Sequence, residues 1–496
     1  MIVMDGSIVN VALPTLAIRL AGATNSSLQW VVDAYILSFA SLLLIAGSAA
    51  DRFGRRRMLV VGLATFAAVS VGAALSGTSQ SLILWRAAMG CGAAMIFPST
   101  LAIITEDFRD PVSRRTAIAI WAGSSGLGVA VGPVAGGWLL AHTHWGAIFL
   151  VNLPVALVAI VGVRMLAHES RDPHNSSFDP IGSGLAVIGV LGLVWGLIEA
   201  PERGWLTLST IASLLGASVL LALFVVWECR TPRPMLDMRY FLNPRFSAGC
   251  IAIAAAFFGL FGFVFMVTQY FQFLYGYDAL EAGIRTTPFA GFILLGALLA
   301  TVFERRFGAS PIVSGGLILM AAGFAWATRD TLDTTYGVVV QQMGVLGIGL
   351  GMVNAVATEV IMASLPINRV GTGSSVNDTL REVGGTLGVA GMGSAFNALY
   401  RSRIAEALAS APLPEAAKSL VRSSVGAAMV VITKVEQAAG PAAAQALRAR
   451  VQSSFLCGFR VSCWIACAAA ALGALLVLLI MPLGTAKYAA QKPQQV

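Results

Sequence analysis

Residues Gly47 to Gly62 read GSAADRFGRRRMLVVG, a stretch that places one aspartate and four arginines between two long apolar runs. The chain around it is strongly apolar: 57% of its 496 residues are hydrophobic and only 11% are charged. Soluble domains carry about 25% charged residues, so these charges are too few to cover a water-exposed surface. Charge that is concentrated between apolar runs is typical of a membrane protein with arginine-rich loops.

Apolar runs that are each long enough to cross a bilayer recur along the whole chain, and they predict about fourteen transmembrane helices. Two of the predicted spans run from Tyr336 to Leu365 and from Leu456 to Leu483. Arginines gather in every second connection, after the even-numbered predicted helices, which places those connections and both termini in the cytoplasm. The sequence therefore predicts an all-α polytopic protein of the cytoplasmic (inner) membrane. Only four residues precede Asp5, so helix 1 is either short or begins upstream of Met1.

Composition also argues against several other classes of protein. The net charge of +8 is explained by loop arginines, and no basic segment is interleaved with aromatic residues, so we expect no nucleic-acid partner. The six cysteines form no CxxC pair and lie in or near apolar runs, so we interpret them as small membrane hydrophobes. The spacing of His142 and His144 is not typical of a metal site, and we expect neither a metal nor a cofactor.

Part of the opening stretch is weakly repeated in the second half of the chain. Arg52, Phe53 and Gly54 are matched by the triplet from Arg306 to Gly308, and each triplet follows an apolar run. Arg305 stands in the second copy where Asp51 stands in the first. Internal repeats of this kind are expected in secondary transporters that are built from two similar halves.

Several motifs resemble those of a known family. GSAADRFGRRRML is similar to the GxLADRxGRRxxL loop motif of the major facilitator superfamily, and LILWRAAMGCGAA, which contains Arg86, resembles its helix 4 motif. The stretch GVAVGPVAGGWL resembles the helix 5 antiporter motif, through Gly128, Gly132, Pro133, Gly136 and Gly137. MDGSIVNVALP and SSVNDTLREVGGTLGVA resemble segments of the fourteen-helix drug:proton antiporters.

The resemblance implies a major facilitator fold with two six-helix bundles, residues 1–170 and 246–496, and an inserted helix pair with its linkers in residues 171–245. The long segment 401–454 is then extracellular, and we interpret it as one or two amphipathic helices on the outer face. The implied function is not enzymatic: proton-coupled export of drugs, antibiotics or lipophilic cations by alternating access, with the small molecule, the proton and the lipid bilayer as partners. Export of an endogenous metabolite such as a siderophore or lipid, and a non-transporting membrane sensor, remain as alternatives.

The charged loop has two interpretations. Its arginines keep the loop in the cytoplasm, and that alone would explain them. The alternative is a conformational latch, formed by Asp51, Arg52, Gly54, Arg55 and Arg56, in which the Asp51 carboxylate pairs with a loop arginine and with donors at a neighbouring helix end. Gly54 would permit the sharp turn.

Ionisable residues inside predicted spans are expensive in lipid and usually face a cavity or a partner. Arg86 must pair with a carboxylate or with carbonyl groups, because an uncompensated arginine there is not tolerated. The candidates for proton coupling or for recognition of substrate charge are Asp5, Asp33, Arg86, Asp378 and Glu382. Each of the four carboxylates also has a plainer interpretation, as a satisfied structural group, a solvated headgroup-level group or part of a compact ion cluster around Arg381.

Two further features point to packing or to a cavity. Gly128, Gly132 and Gly136 repeat every four residues, which gives a flat stripe for close helix contact, and Pro133 can kink the helix. In the aromatic-rich span that begins at Phe246, Gln269 and Tyr270 are the predicted cavity-lining residues.

Overall fold

In the computed structural model, the described residues are 1–20, 25–108, 110–170, 179–232, 234, 236–277, 279–366, 369–409, 413–423 and 425–482. Within these ranges the regular structure is helical. The first group of helices consists of α1 (Ile2–Arg19), α2 (Asn25–Phe53), α3 (Arg55–Ala74), α4 (Ser79–Asp107), α5 (Pro111–His142), α6 (Ala147–Leu150) and α7 (Asn152–Leu166). The pair α8 (Pro180–Arg203) and α9 (Leu208–Arg230) follows, with a short 3₁₀ helix, Met238–Leu242.

The second group begins after that 3₁₀ helix. It consists of α10 (Pro244–Phe273), α11 (Ala279–Phe307), α12 (Ala309–Ala327), α13 (Tyr336–Ala363), α14 (Val370–Leu408), α15 (Glu415–Ser423), α16 (Val425–Ala439) and α17 (Pro441–Ile480). The predicted boundary at residue 171 lies outside the described residues.

Among the described residues, 11 helices are long and apolar enough to cross a membrane. The helices α1, α5 and α14 are not among these 11, so the expected number of fourteen stays a prediction. Asp378, Arg381 and Glu382 lie in the first third of the 39-residue helix α14 and add to its polarity.

The helices pack around two hydrophobic cores. One core is formed by side chains of α1 to α7, among them Ile8, Phe66 and Phe149. The other draws mainly on α10 to α17, among them Phe246, Phe324 and Phe455. We call these two groups of helices the N-half and the C-half. They meet mainly where α2 packs against α14 and α5 against α11, with smaller contacts of α4 with α14 and of α5 with α13. The helix α8 packs against α9, α2 and α14.

The repeated Arg-Phe-Gly triplet ends in the same backbone turn in both halves. Gly54 has φ +109° before α3, and Gly308 has φ +82° before α12. Both values lie in the left-handed region, which glycine adopts without the steric cost of a Cβ atom. At Gly54 a Cβ atom would also lie 2.4 Å from Glu169 Oε1. The repeat is therefore a structural one: each triplet turns the chain sharply from one helix into the next.

The helix α17 begins at Pro441, fifteen residues before the predicted start of the last span at Leu456, and its first turns are alanine-rich instead of strongly apolar. The segment 401–454 contains the end of α14, the helices α15 and α16, and the start of α17. It packs on the C-half: Tyr400 Oη donates to the Val421 carbonyl at 2.9 Å, and Arg450 Nη1 donates to the Ala407 carbonyl at 2.7 Å.

Candidate functional site

Asp51 joins the two halves where α2 ends. Its side chain is fully buried, and its carboxylate accepts hydrogen bonds from the backbone N–H groups of Gly371 (2.9 Å) and Thr372 (2.8 Å) and from Thr372 Oγ1 (3.1 Å). These donors form the first turn of α14, where unpaired N–H groups and the helix dipole favour a negative charge. The approach is close, since a Cβ atom on Gly371 would lie 2.3 Å from Asp51 Oδ1.

The arginines of the same loop have separate partners. Arg55, which is 1% exposed, donates to Asp51 Oδ1 from Nε (3.1 Å) and Nη2 (2.9 Å), and its Nη1 contacts Glu106 at the end of α4. Arg56 donates to the Ala167 carbonyl at 3.3 Å, and the Arg52 guanidinium lies 5.0 Å from the Phe53 ring centre. Arg55 is thus the loop arginine that pairs with Asp51.

Two more ion pairs cross between the halves on this side of the molecule. Arg114 at the start of α5 binds the Glu359 carboxylate of α13 at 2.9 to 3.2 Å from Nε and Nη2. Arg115 Nη2 lies 3.6 Å from Glu304 Oε1, near the end of α11. We call this side, which carries Arg55, Arg114 and Arg115, the arginine-rich face. The structure shows the two halves tied together there.

A buried ion pair lies inside the N-half. Asp5 and Arg86 are both 0% exposed; Arg86 Nη1 binds Asp5 Oδ2, and Arg86 Nε donates to the Val31 carbonyl at 3.0 Å. Asn152 Nδ2 donates to Asp5 Oδ1 at 2.7 Å. Helices α1, α2, α4 and α7 therefore meet at one polar cluster. Arg86 has both kinds of partner that the sequence required, a carboxylate and a carbonyl.

A second polar cluster lies on α14 in the C-half. Asp378 and Arg381 are 1% and 4% exposed, and Asp378 Oδ1 lies 3.6 Å from Arg381 Nη1. Asn377 Nδ2 donates to Asp378 Oδ1 at 3.1 Å. Glu382, one helical turn beyond Asp378, is half-buried.

Tyr35 of α2 lies beside the Arg86 cluster. Its ring centre is 4.2 Å from the Arg86 guanidinium, and α2 packs against α14, the helix that carries the second cluster. Within the described part of the chain, the Tyr35 hydroxyl and Arg86 Nη2 are buried without a hydrogen-bond partner. Buried polar atoms of this kind normally have a partner, so a water molecule or a polar ligand group that reaches these two atoms would satisfy them.

The glycine stripe of α5 lies against α1. A Cβ atom would lie 3.1 Å from Val3 Cβ at Gly128, 1.8 Å from Ser7 Oγ at Gly132 and 3.4 Å from Ile8 Cγ1 at Gly136. Gly137 faces the other half, because its Cβ atom would lie 2.7 Å from Leu280 Cδ1 of α11. The side chain of Pro133 lies outside the described residues. Close contact between the backbones of α1 and α5 therefore depends on the absence of side chains along this stripe.

Three predicted site residues, Asp33, Gln269 and Tyr270, lie outside these clusters. Asp33 is half-buried in α2, two residues beyond Val31. Gln269 is half-buried and donates to the Phe265 carbonyl of its own helix at 3.3 Å. Tyr270 is 1% exposed, and its ring centre lies 5.0 Å from that of Phe459 and 5.7 Å from that of Tyr275. The Tyr270 ring thus packs between α10 and α17 instead of lining a cavity wall, because the neighbouring aromatic rings enclose it.

Sequence reasoning missed three polar residues with a clear structural role. Asn152 completes the Asp5 cluster and the Tyr35 ring lies against Arg86 of that cluster, but a lone Asn or Tyr in an apolar run carries no distinguishing pattern. Asp330, in the loop before α13, is 3% exposed and accepts from Gln342 Nε2 at 2.7 Å. Burial raises the pKa of Asp330 to about 6, although the hydrogen bond from Gln342 and the charge of Arg460 oppose this shift.

The fold and the buried charges define a polytopic helical membrane protein with two halves that meet around ionisable groups, the architecture of a secondary transporter. The family model described as Major Facilitator Superfamily matches residues 1–389. The chain belongs to the Major Facilitator Superfamily.

Two relatives and one solved structure illustrate the similarity. The chain is 37% identical over 404 residues to the multidrug efflux pump LfrA of Mycolicibacterium smegmatis, covering 82% of this chain and 80% of that one. It is 32% identical over 489 residues to the tetracenomycin C resistance and export protein of Streptomyces glaucescens, covering 96% and 89%. The crystal structure of the human organic anion transporter MFSD10 matches with TM-score 0.60 and 12% identity, covering 96% and 98%, which shows a shared fold.

The Arg114–Glu359 pair yields a first prediction. Either Arg114→Glu or Glu359→Arg should open the arginine-rich face, and the double variant should close it again. Charge-assisted hydrogen bonds contribute about 1.5–3 kcal/mol each, so each single reversal should raise the open fraction about tenfold or more.

The measurement is the distance between spin labels on Phe53→Cys and Phe303→Cys, which are 53% and 42% exposed on opposite halves, in a chain whose six native cysteines are replaced by alanine. Equal distance distributions in all three variants and the parent would show that this pair does not hold the face closed.

Proposed function

We propose that this protein is a proton-coupled antiporter that exports small amphipathic compounds, in particular lipophilic cations, by alternating access. Export of compounds by the two relatives, a multidrug efflux pump and a tetracenomycin C exporter, supports the proposal. In this proposal the protein lies in the cytoplasmic membrane with the arginine-rich face and both termini in the cytoplasm, in accord with the positive-inside rule.

The observation that carries the proposal is the position of the Asp378–Glu382 carboxylates between the halves. They lie on α14, which packs against α2 and α4 of the other half, and Arg381 of the same cluster lies 5.2 Å from the ring centre of Phe97 in α4. A carboxylate in this position binds either a proton or a cation, and only its charged form attracts the cation. Competition for one carboxylate couples the two gradients, since proton uptake from outside favours release of the cation.

The other charged residues have distinct roles in this scheme. Asp51 and Arg55, with Arg114 and Glu359, hold the arginine-rich face closed, and their separation opens the site to the cytoplasm. Asp5 and Arg86 form a buried pair whose charge balance depends on the protonation of Asp5. Asp33 adds negative charge on α2 that attracts a cationic substrate. The glycine stripe of α5 keeps α1 and α5 in close contact as the halves move.

Ethidium transport into inside-out vesicles with an acid interior tests the proposal. Vesicles with the unchanged protein should accumulate ethidium, and nigericin, which collapses the pH gradient, should abolish accumulation. Glu382→Gln should reduce the initial rate at least tenfold at equal protein level, because the neutral side chain neither attracts the cation nor exchanges a proton.

Glu406→Gln is the matched control, since Glu406 lies on the same helix but its side chain is 67% exposed; it should transport normally. Ethidium uptake that is insensitive to nigericin would contradict proton coupling. Absence of uptake of any lipophilic cation would reject this substrate class and favour an endogenous metabolite, in line with the relative that exports tetracenomycin C.

A further inference from the structure

The guanidinium of Arg381 lies over aromatic rings. Its Cζ atom is 4.3 Å from the ring centre of Phe257 and 5.2 Å from those of Phe97 and Trp121. All three distances are within the roughly 6 Å over which a cation is attracted to a ring face. We call Phe97, Trp121 and Phe257 the aromatic cage.

One nitrogen of this guanidinium has no hydrogen bond. The Arg381 side chain is 5% exposed, and Asp378 Oδ1 lies 3.6 Å from Nη1. Among the residues that the structure describes, Nη1 has no hydrogen-bond partner. A buried guanidinium normally forms several hydrogen bonds, so we count the ring faces among the groups that stabilise Arg381 here.

Both halves contribute to the cage. Phe97 and Trp121 belong to α4 and α5 of the N-half, while Phe257 and Arg381 belong to α10 and α14 of the C-half. Trp121 is held in place because its Nε1–H donates to Thr100 Oγ1 at 3.1 Å, which leaves the ring face available. The cage is therefore complete only when the halves lie together, as they do in this structure.

A lipophilic cation would be bound by the same chemistry that holds Arg381. Ring faces attract a diffuse positive charge, and the carboxylates of Asp378 and Glu382 on the same helix add long-range attraction. We propose that Arg381 is a tethered internal competitor: as the halves close at the arginine-rich face, its guanidinium occupies the ring faces of the aromatic cage and displaces the cationic compound that was bound to those rings in the open form. The proposal rests on the proposed export function and adds a cause for the release of substrate.

Competition from a tethered group has a measurable consequence. A tethered group acts at an effective concentration of the order of millimolar or more, so its removal should strengthen binding of an external cation. Arg381→Met, which keeps a side chain of moderate length without a charge, should lower the Kd for tetraphenylphosphonium about tenfold and slow ethidium export. Arg381→Lys keeps a tethered cation and should remain within about threefold of the unchanged protein.

Removal of a positive charge would also strengthen cation binding without any competition for the rings. The variant Phe257→Ala separates these two causes in a double-mutant cycle. If Arg381 competes for the cage, the gain from Arg381→Met should largely disappear in the Phe257→Ala background. If only the charge matters, the gain should be the same in both backgrounds.

The experiment is isothermal titration of the purified full chain with tetraphenylphosphonium for the unchanged protein and for each variant. Arg285→Met is the matched control, because Arg285 lies 4.5 Å and 4.8 Å from the rings of Tyr277 and Tyr336 but entirely within the C-half; it should leave the Kd unchanged. Arg381→Gln replaces Arg381→Met if the latter does not elute as a single species.

A tenfold gain that depends on Phe257 would support the proposal. An unchanged or weaker affinity in Arg381→Met and Arg381→Gln, or a gain that is independent of Phe257, would overturn it. Failure of the proposed function is a different result, since it would appear as absence of ethidium transport by the unchanged protein in vesicles.

Discussion

Asp51→Asn should open the arginine-rich face and reduce transport to about a tenth or less of the original rate. Asparagine keeps one oxygen acceptor but loses the negative charge that the first turn of α14 and the Arg55 guanidinium both bind. Charge-assisted hydrogen bonds contribute about 1.5–3 kcal/mol each. The loss of even one shifts the balance between closed and open forms by about tenfold or more.

The distance between spin labels at positions 53 and 303 measures the ratio of closed to open forms. Ethidium uptake in vesicles measures the effect of that ratio on transport. Asp237→Asn is the control, because Asp237 lies in the linker before α10 and accepts a local hydrogen bond, from the Arg239 N–H at 2.9 Å. A closed fraction that is unchanged by Asp51→Asn would show that the loop arginines act through topology alone.

The second copy of the motif has no aspartate, but a nearby glutamate supplies a carboxylate at the junction of the halves. Arg305 occupies the position that corresponds to Asp51, so α11 has no carboxylate there. Glu304, one residue earlier, supplies one instead, and it lies 3.6 Å from Arg115 at the start of α5. Each half thus ends a junction helix, α2 or α11, with a carboxylate that contacts the start of a helix in the other half. The repeat preserves this arrangement of charge although the sequence position differs.

The sequence predicts the helices better than it predicts their contacts. The span expected from Tyr336 to Leu365 is observed as Tyr336–Ala363, because the length and apolarity of a span follow from local composition. The helix α17 begins before the span that was predicted from Leu456, because alanine-rich turns outside the apolar run continue the helix. In such segments the helix propensity is high while the hydropathy is modest, so hydropathy alone predicts the membrane span but not the full length of the helix.

The partners of the buried charges depend on tertiary packing. The Asp51 partner was expected to be a neighbouring helix end, but only the fold identifies it as α14, with Gly371 separated from Asp51 by 320 residues. Arg86 had to be neutralised, yet nothing in the spacing identifies Asp5 as its partner. The aromatic cage is still less predictable, because Phe97, Trp121 and Phe257 come from three helices and each resembles an ordinary packing residue in the sequence.

Asp5→Asn should have the largest effect on stability. It leaves Arg86, which is 0% exposed, without its carboxylate. Loss of one partner of a buried ion pair costs about 3–5 kcal/mol, whereas replacement of both partners by neutral groups is often close to neutral. The midpoint of heat-induced aggregation of the purified protein should therefore fall clearly in Asp5→Asn and recover in Asp5→Asn/Arg86→Met, in which the introduced amide oxygen can still accept from Asn152. Glu406→Gln, which removes an exposed ion pair with Arg403, should change the midpoint little, because exposed pairs contribute about 0–1 kcal/mol.

Transport by the double variant then separates a structural role from a functional one. If the Asp5–Arg86 pair only satisfies the packing of α1 against α4, restored stability should bring restored ethidium uptake. If protonation of Asp5 takes part in coupling, the double variant should be stable and yet inactive with a pH gradient. We expect the second result, because Arg86 lies 4.2 Å from the ring centre of Tyr35, and Tyr35 stands on α2, which packs against α14 of the other half. An Asp5→Asn variant that is as stable and as active as the unchanged protein would show that the Asp5–Arg86 pair contributes neither to stability nor to proton coupling.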